Sequence, residues 1–146
     1  MGRNLSSTLK FKQLTAYTAT STAAVTSTGI DTSGYDSVLC RLSITAAGAT
    51  TAHTLHAEMS ATTATGDFVD IEGTEVVAAT TGVCHLVCEV YKPQQRYVRF
   101  ILSPSATVVV EQMTAILGAA QDLPEDVNQT SVQSGELVCG ASTGTP

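Results

Sequence analysis

The sequence predicts an all-β fold: an antiparallel β-sandwich of jelly-roll type, with extended N- and C-terminal arms. Short segments of alternating apolar and polar residues recur from about Phe11 to Gly118, separated by turn-forming residues. No helical period persists long enough to compete with this pattern, and the abundant Thr and Val favour strands because they branch at Cβ. A chain of 146 residues fits one domain. Roughly eight strands in that length favour two packed sheets.

The individual strands follow from the alternation and from the residues that interrupt it. In the clearest one, Tyr35–Thr45, Val38, Cys40, Leu42 and Ile44 share a face. Pro93 cannot serve inside a ladder and marks a turn. The last predicted strand of the domain, Ala106–Leu117, is apolar on nearly both faces, so we expect it to be central or covered on both sides. The predicted extended segments are Phe11–Thr20, Tyr35–Thr45, His53–Ser60, Glu75–Ala78, Val83–Tyr91, Arg96–Leu102 and Ala106–Leu117.

Composition changes at both ends of the chain and gives three predicted parts: an N-terminal arm at 1–10, a sandwich domain at 11–124 and a C-terminal extension at 125–146. The extension is polar and rich in Gly, Ser and Thr, with a short apolar segment at Leu137–Cys139. That segment could add as a strand to the edge of a neighbour's sheet, or it could remain unstructured.

The charge content is low for a soluble chain. Charged residues make up 14% of the sequence, against roughly 25% in an average domain. We therefore expect other protein to cover part of the surface. The net charge of −6 argues against nucleic acid as a partner, and no apolar segment approaches membrane-spanning length, so no membrane partner is expected either.

Two sets of residues are candidates for contacts with other proteins. Basic residues precede the first acid of the chain and could dock on an acidic protein surface or belong to a solvated terminus; they are Arg3, Lys10 and Lys12. Apolar residues of the last strand and of the extension are candidates for contacts between copies of the chain; they are Val108, Val110, Leu137 and Val138.

No arrangement of residues predicts a catalytic or metal site, and no cofactor is expected. His56 and Glu58 share a strand face, but zinc needs three or four convergent ligands. The acids Asp67, Asp70, Glu72 and Glu75 do not all project to one side, which favours a solvated rim. Cys84 and Cys88 are expected to be small buried thiols.

The pair Arg96 and Arg99 beside Tyr97 is better explained by ion pairs than by nucleic-acid contact. Glu89 or Glu111 on adjacent strands is the expected partner.

Four segments resemble the head decoration, or capsid cement, proteins of tailed bacteriophages. They are Tyr35–Val38, Met59–Ile71, Gln95–Phe100 and Ala115–Gly118. The resemblance covers about residues 11–124. It implies a non-enzymatic virion protein made in the host cytoplasm. Such a protein would assemble, commonly as a homotrimer, on the outer capsid surface and bind the phage major capsid protein.

The competing interpretation is a jelly-roll module that binds host-surface carbohydrate. Sites of that kind usually expose Trp or Tyr to stack on sugar rings, and the chain has no Trp and four Tyr.

Overall fold

The computed structural model describes residues 9–15, 18–46, 53–78, 82–118 and 132–139; for 18–21, 46 and 132–139 it describes the backbone alone. The described residues form two packed sheets. Sheet A contains β1 (Lys10–Thr15), β2 (Thr18–Ser21), β5 (Ser37–Ala46), β9 (Gly82–Tyr91), β11 (Val108–Gly118) and β12 (Val132–Cys139). Sheet B contains β3 (Val25–Thr26), β4 (Ile30–Asp31), β6 (His53–Ser60), β7 (Val69–Asp70), β8 (Val76–Ala78) and β10 (Tyr97–Ser103). One 3₁₀ turn, Thr65–Asp67, precedes β7.

The strand order is that of a jelly roll. Sheet A runs β1-β11-β5-β9-β12, with β2 also on β11, and sheet B runs β3-β10-β6-β7, with β4 on β10 and β8 on β6. The pairs β1/β2, β3/β4 and β7/β8 each act as one interrupted strand. Apart from β12, each sheet then has four strands, and most connections cross from one sheet to the other. The predicted fold class is confirmed.

The core lies between the sheets and is built from small apolar side chains. Val38, Cys40, Leu42 and Ile44 are fully buried, as their alternation predicts. Phe100 is the largest of the fully buried side chains. Small branched residues pack this layer densely without needing Trp.

Strand β11 is central, as expected, but its outer face is not covered. It lies between β1 and β5 in sheet A. On its outward side Thr114 and Ile116 are half-buried and Gln112 is exposed. The first alternative, a central position, is therefore confirmed. Among the described residues no further layer lies over sheet A.

Strand β12 adds to sheet A of its own chain. It pairs parallel with β9, with Leu137 opposite Glu89 and Val138 opposite Val90. Part of the predicted C-terminal extension thus covers an edge of the sheet that would otherwise present unpaired backbone groups. Neither arrangement expected for this segment, a neighbour's sheet or an unstructured tail, describes it here.

Candidate interaction face

The outward side chains of β1, β5, β9 and β11, which we call the A face, include an apolar row. Phe11 lies directly across from Ile116, and Ile116 lies across from Leu39. Phe11 is 62% exposed, and Val83 on the same face is 61% exposed. Ile116 and Leu39 are half-buried. Apolar side chains grouped in this way on an open sheet are typical of a surface that contacts another protein.

A shallow cavity of about 220 Å³ lies beside this row. It is lined by Phe11, Arg41, Ser43, Gln112, Thr114 and Ile116. Small-molecule sites usually occupy 300–1,000 Å³. The cavity therefore fits a partner's side chain better than a substrate or cofactor.

The acids of the A face are held by hydroxyl groups of β5. Ser43 Oγ donates to Glu111 Oε2 at 2.9 Å and Thr45 Oγ1 donates to Glu111 Oε1 at 2.7 Å. These two bonds, Thr45 first, lower the pKa of Glu111. Ser37 Oγ donates to the buried Glu89 in the same way. Both carboxylates are thus fixed in place on the sheet.

Both edge strands of sheet A end on the same side of the molecule. Lys10 at the start of β1 is opposite Leu117, which is opposite Val38. Val38 is opposite Val90, which pairs with Val138 near the end of β12. β1 therefore begins, and β12 ends, at one end of sheet A, which we call the arm end.

The loops of the arm end carry further basic residues. The Lys92 amide donates to the Asp36 carbonyl at 2.6 Å, and Lys92 has a left-handed φ of 50°. Arg96 forms two bonds to Asp31, at 2.9 and 2.7 Å. The Arg96 bond, with help from the Ser33 amide, lowers the pKa of Asp31 to about 2. Lys10 and Lys92 are exposed beside this neutralised pair, and Asp36 is exposed in the same loops.

The structure separates the predicted basic contact residues. Lys10 is exposed at the arm end, while Arg3 lies outside the described residues. Lys12 is half-buried, and its Nζ donates to the Gly29 carbonyl at 3.3 Å. Because β1 belongs to sheet A and Gly29 precedes β4 of sheet B, Lys12 ties the two sheets together. A lysine that points inward on an edge strand also discourages a further strand from adding there.

The structure places two of the four residues predicted to contact other copies in the core. Val108 and Val110 are fully buried in the core. Their side chains are therefore not available to a second copy while the sandwich is folded, because the inner face of β11 packs on sheet B. Leu137 and Val138 lie in β12, where only the backbone is described. Sequence reasoning missed Phe11 and Ile116, although Phe11 is a large apolar residue between two lysines on an edge strand.

The arginines of β10 form ion pairs, but not with the expected partners. Arg99 Nε donates to Glu58 Oε2 on β6, and Arg96 binds Asp31. Glu89 and Glu111 lie on sheet A, whereas β10 belongs to sheet B, so neither can reach these arginines from an adjacent strand.

The Phe68 ring contacts Arg99 on one face, and Gly29 lies against its edge. The Arg99 guanidinium lies 4.3 Å from the ring centroid. A Cβ at Gly29 would lie 3.1 Å from Phe68 Cζ, so this glycine permits a close approach to the ring. The guanidinium thus covers one face of the ring.

The predicted acidic rim is divided among different contacts. Asp67 accepts a hydrogen bond from Thr62 at 2.5 Å, and Glu72 and Glu75 are exposed. Asp70 lies directly across from Glu58. Its Oδ1 is 3.6 Å from His56 Nε2.

The cysteines of β5 and β9 lie in the core, as predicted for Cys84 and Cys88. Cys40 is directly opposite Cys88. Burial raises the pKa of the Cys40 thiol well above its ordinary value. Cys88 Sγ donates to the Thr74 carbonyl at 3.6 Å. Cys40 is therefore a protonated packing group at neutral pH.

The described residues form a jelly-roll sandwich with an apolar row on one sheet, and β1 begins and β12 ends at the same end of that sheet. No protein-family model and no curated protein matches the chain. Among solved structures, the crystal structure of PBSX exported protein XepA is similar with a TM-score of 0.47 and 19% identity. The similarity covers 88% of this chain and 43% of the XepA chain, so this chain spans less than half of that protein's length. At this level the similarity does not indicate a function.

In the part of the chain that the structure describes, no helix has the length and apolar character needed to cross a membrane.

Proposed function

We propose that this chain is a structural virion protein that binds the outer surface of a phage capsid. It stabilises the shell by bridging subunits of the major capsid protein. The resemblance of four sequence segments to head decoration proteins supports this assignment, and the jelly-roll fold is compatible with it. The proposed role involves no catalysis, cofactor, nucleic acid or membrane.

The observation that carries the proposal is the placement of the two edge strands. β1 begins and β12 ends at the arm end, beside the exposed Lys10 and Lys92. We propose that the chain continuing from these two strand ends contacts two neighbouring capsid subunits. The exposed Lys10 and Lys92 suit an acidic capsid surface.

The A face supplies the second part of the proposal, contact with other copies of the chain. Standard protein interfaces bury about 800 Å² per partner. In a homotrimer, three weak capsid contacts would act together, since binding of one protomer raises the effective concentration of the others. An apolar row on an open sheet suits such a contact because it carries few charges to desolvate.

The test is co-sedimentation of the purified protein with shells assembled from its cognate major capsid protein. The wild type is expected to saturate the shells. Lys10→Gln is expected to weaken binding about two- to five-fold, the effect of one exposed ion pair, and more at low salt than at high salt.

Glu75→Gln is the matched control, because Glu75 is exposed and lies away from the arm end. The next residue, Val76, pairs with Leu55 near the start of β6, whereas the end of β6 lies toward the arm end. This variant should bind as the wild type does. A wild-type protein that remains in the supernatant at every salt concentration would overturn the proposal. Unchanged binding after deletion of residues 1–9 would remove the arm's part in it.

A further inference from the structure

We propose that His56, Glu58 and Asp70 form a zinc site on the outer face of sheet B. One ligand atom from each residue lies within 4.8 Å of those of the other two. His56 and Glu58 project from the same side of β6, two residues apart, and Asp70 lies across from Glu58 on β7. The pairing of β6 with β7 therefore supplies the third ligand that the sequence around His56 lacks.

The distance between His56 and Asp70 suits a shared metal better than a direct bond. His56 Nε2 and Asp70 Oδ1 are 3.6 Å apart, beyond the 2.7–3.2 Å of an N–H···O hydrogen bond. Two ligands of a tetrahedral zinc ion, each 2.0–2.1 Å from the metal, are about 3.4 Å apart. One edge of the coordination shell is thus nearly preformed.

The charges of the cluster also favour a cation. Glu58 and Asp70 are directly opposite, and like charges in this position destabilise a sheet. Arg99 compensates one of them by donating to Glu58 Oε2, which leaves the second oxygen of that carboxylate for a metal. Arg99 also donates to the Thr65 carbonyl at 3.1 Å. The arginine thus orients a ligating carboxylate, as outer partners do in known metal sites.

Zinc is an ion that this donor set suits. An imidazole nitrogen with two carboxylates is a zinc-type set, whereas calcium and magnesium prefer oxygen ligands alone. Glu58 and His56 are 12% and 14% exposed at the side chain, and Asp70 is 39% exposed. The ion would therefore enter past Asp70, and water would occupy its fourth position.

The experiment is a calorimetric titration of the folded protein with ZnCl₂. The wild type is expected to bind one ion per chain. His56→Gln and Asp70→Asn should each weaken binding at least about tenfold, since even outer-partner losses cost 10–100-fold. His85→Gln, a histidine on sheet A, and Asp67→Asn, an acid three residues before Asp70, are the matched controls and should change the affinity less than about twofold.

A second measurement separates the site from binding to unfolded chain. Zinc should raise the unfolding temperature of the wild type and of His85→Gln but not that of His56→Gln. Absence of one-to-one binding by the wild type, or wild-type affinity in His56→Gln, would overturn the site. Because the proposed capsid contacts lie at the arm end and the proposed contacts between copies lie on the A face, shell binding is expected to be the same with and without a chelator.

Discussion

Replacing Phe11 by Ser separates surface contact from folding stability. Phe11 is 62% exposed, so a little over a third of its side chain is covered in the single chain. Full burial of a phenylalanine contributes about 1.5–3 kcal/mol. The covered fraction then contributes about 0.5–1 kcal/mol, and Phe11→Ser should lower the free energy of unfolding by no more than that.

The same change should have a larger effect on assembly. An aromatic anchor at an interface contributes about 2 kcal/mol or more, which corresponds to roughly thirtyfold in affinity. Phe11→Ser should therefore weaken self-association or shell binding by about that factor. The assays are urea unfolding for stability, and sedimentation for association and shell binding.

Val110→Ala is the opposing control because Val110 is fully buried in the core. It removes two carbon atoms and leaves a cavity, which should cost about 2 kcal/mol of unfolding free energy. The affinity of the folded protein should be unchanged. The reasoning would be refuted if Phe11→Ser left association intact or unfolded the protein, or if Val110→Ala weakened association without loss of stability.

Three further predictions concern the fold. Thr74→Val should lower the unfolding free energy by about 1–3 kcal/mol in urea unfolding. The Thr74 hydroxyl accepts a hydrogen bond from the buried Ala57 amide at 3.1 Å, and the variant leaves that amide unpaired. An unchanged urea midpoint would contradict this. Gly34→Ala should lower the free energy of unfolding by about 1 kcal/mol in thermal unfolding, because Gly34 has a φ of 84° and no atom lies within 4 Å of the added Cβ. Gly66→Ala is the control, since Gly66 also lies in open space but has no positive φ, and it should be neutral. Equal costs for the two variants would refute the backbone argument. Burial lowers the pKa of His53 below its ordinary value of 6.5. Below pH 6.5 the unfolded state therefore binds more protons than the folded state. The free energy of unfolding should decline as the pH falls from 6.5 towards the lowered pKa. In unfolding titrations against pH this decline should be weaker in His53→Gln, and an identical profile would contradict the assignment.

Local pattern predicted most of the strands because one face of each packs against the core. The alternation in Tyr35–Thr45 and Val83–Tyr91 matches β5 and β9 closely. The alternation did not predict where the strands of sheet B are interrupted, as between β7 and β8. Strands β7 and β8 both pair with β6, and the turn between them depends on Thr74, whose hydroxyl bonds across to Ala57. A contact over 17 positions leaves no periodic signal.

The candidate sites depend on register between distant strands, which alternation does not specify. Val110 and Ile116 are both apolar residues of β11, but the register shift between Val110 and Gln112 changes which positions face the core. Asp70 meets His56 only because β7 pairs with β6. From the sequence, Lys12 is expected to be a free surface charge. The hydrogen bond from its Nζ to the Gly29 carbonyl depends on the tertiary structure.

Electron cryomicroscopy of cognate shells incubated with the protein tests the central claim most directly. The account predicts added density on the outer capsid surface at local three-fold positions, with the arm end towards the capsid and the A faces of neighbouring copies in contact. Bare shells at saturating protein concentration, or density bound through sheet B with the arm end directed outward, would contradict it.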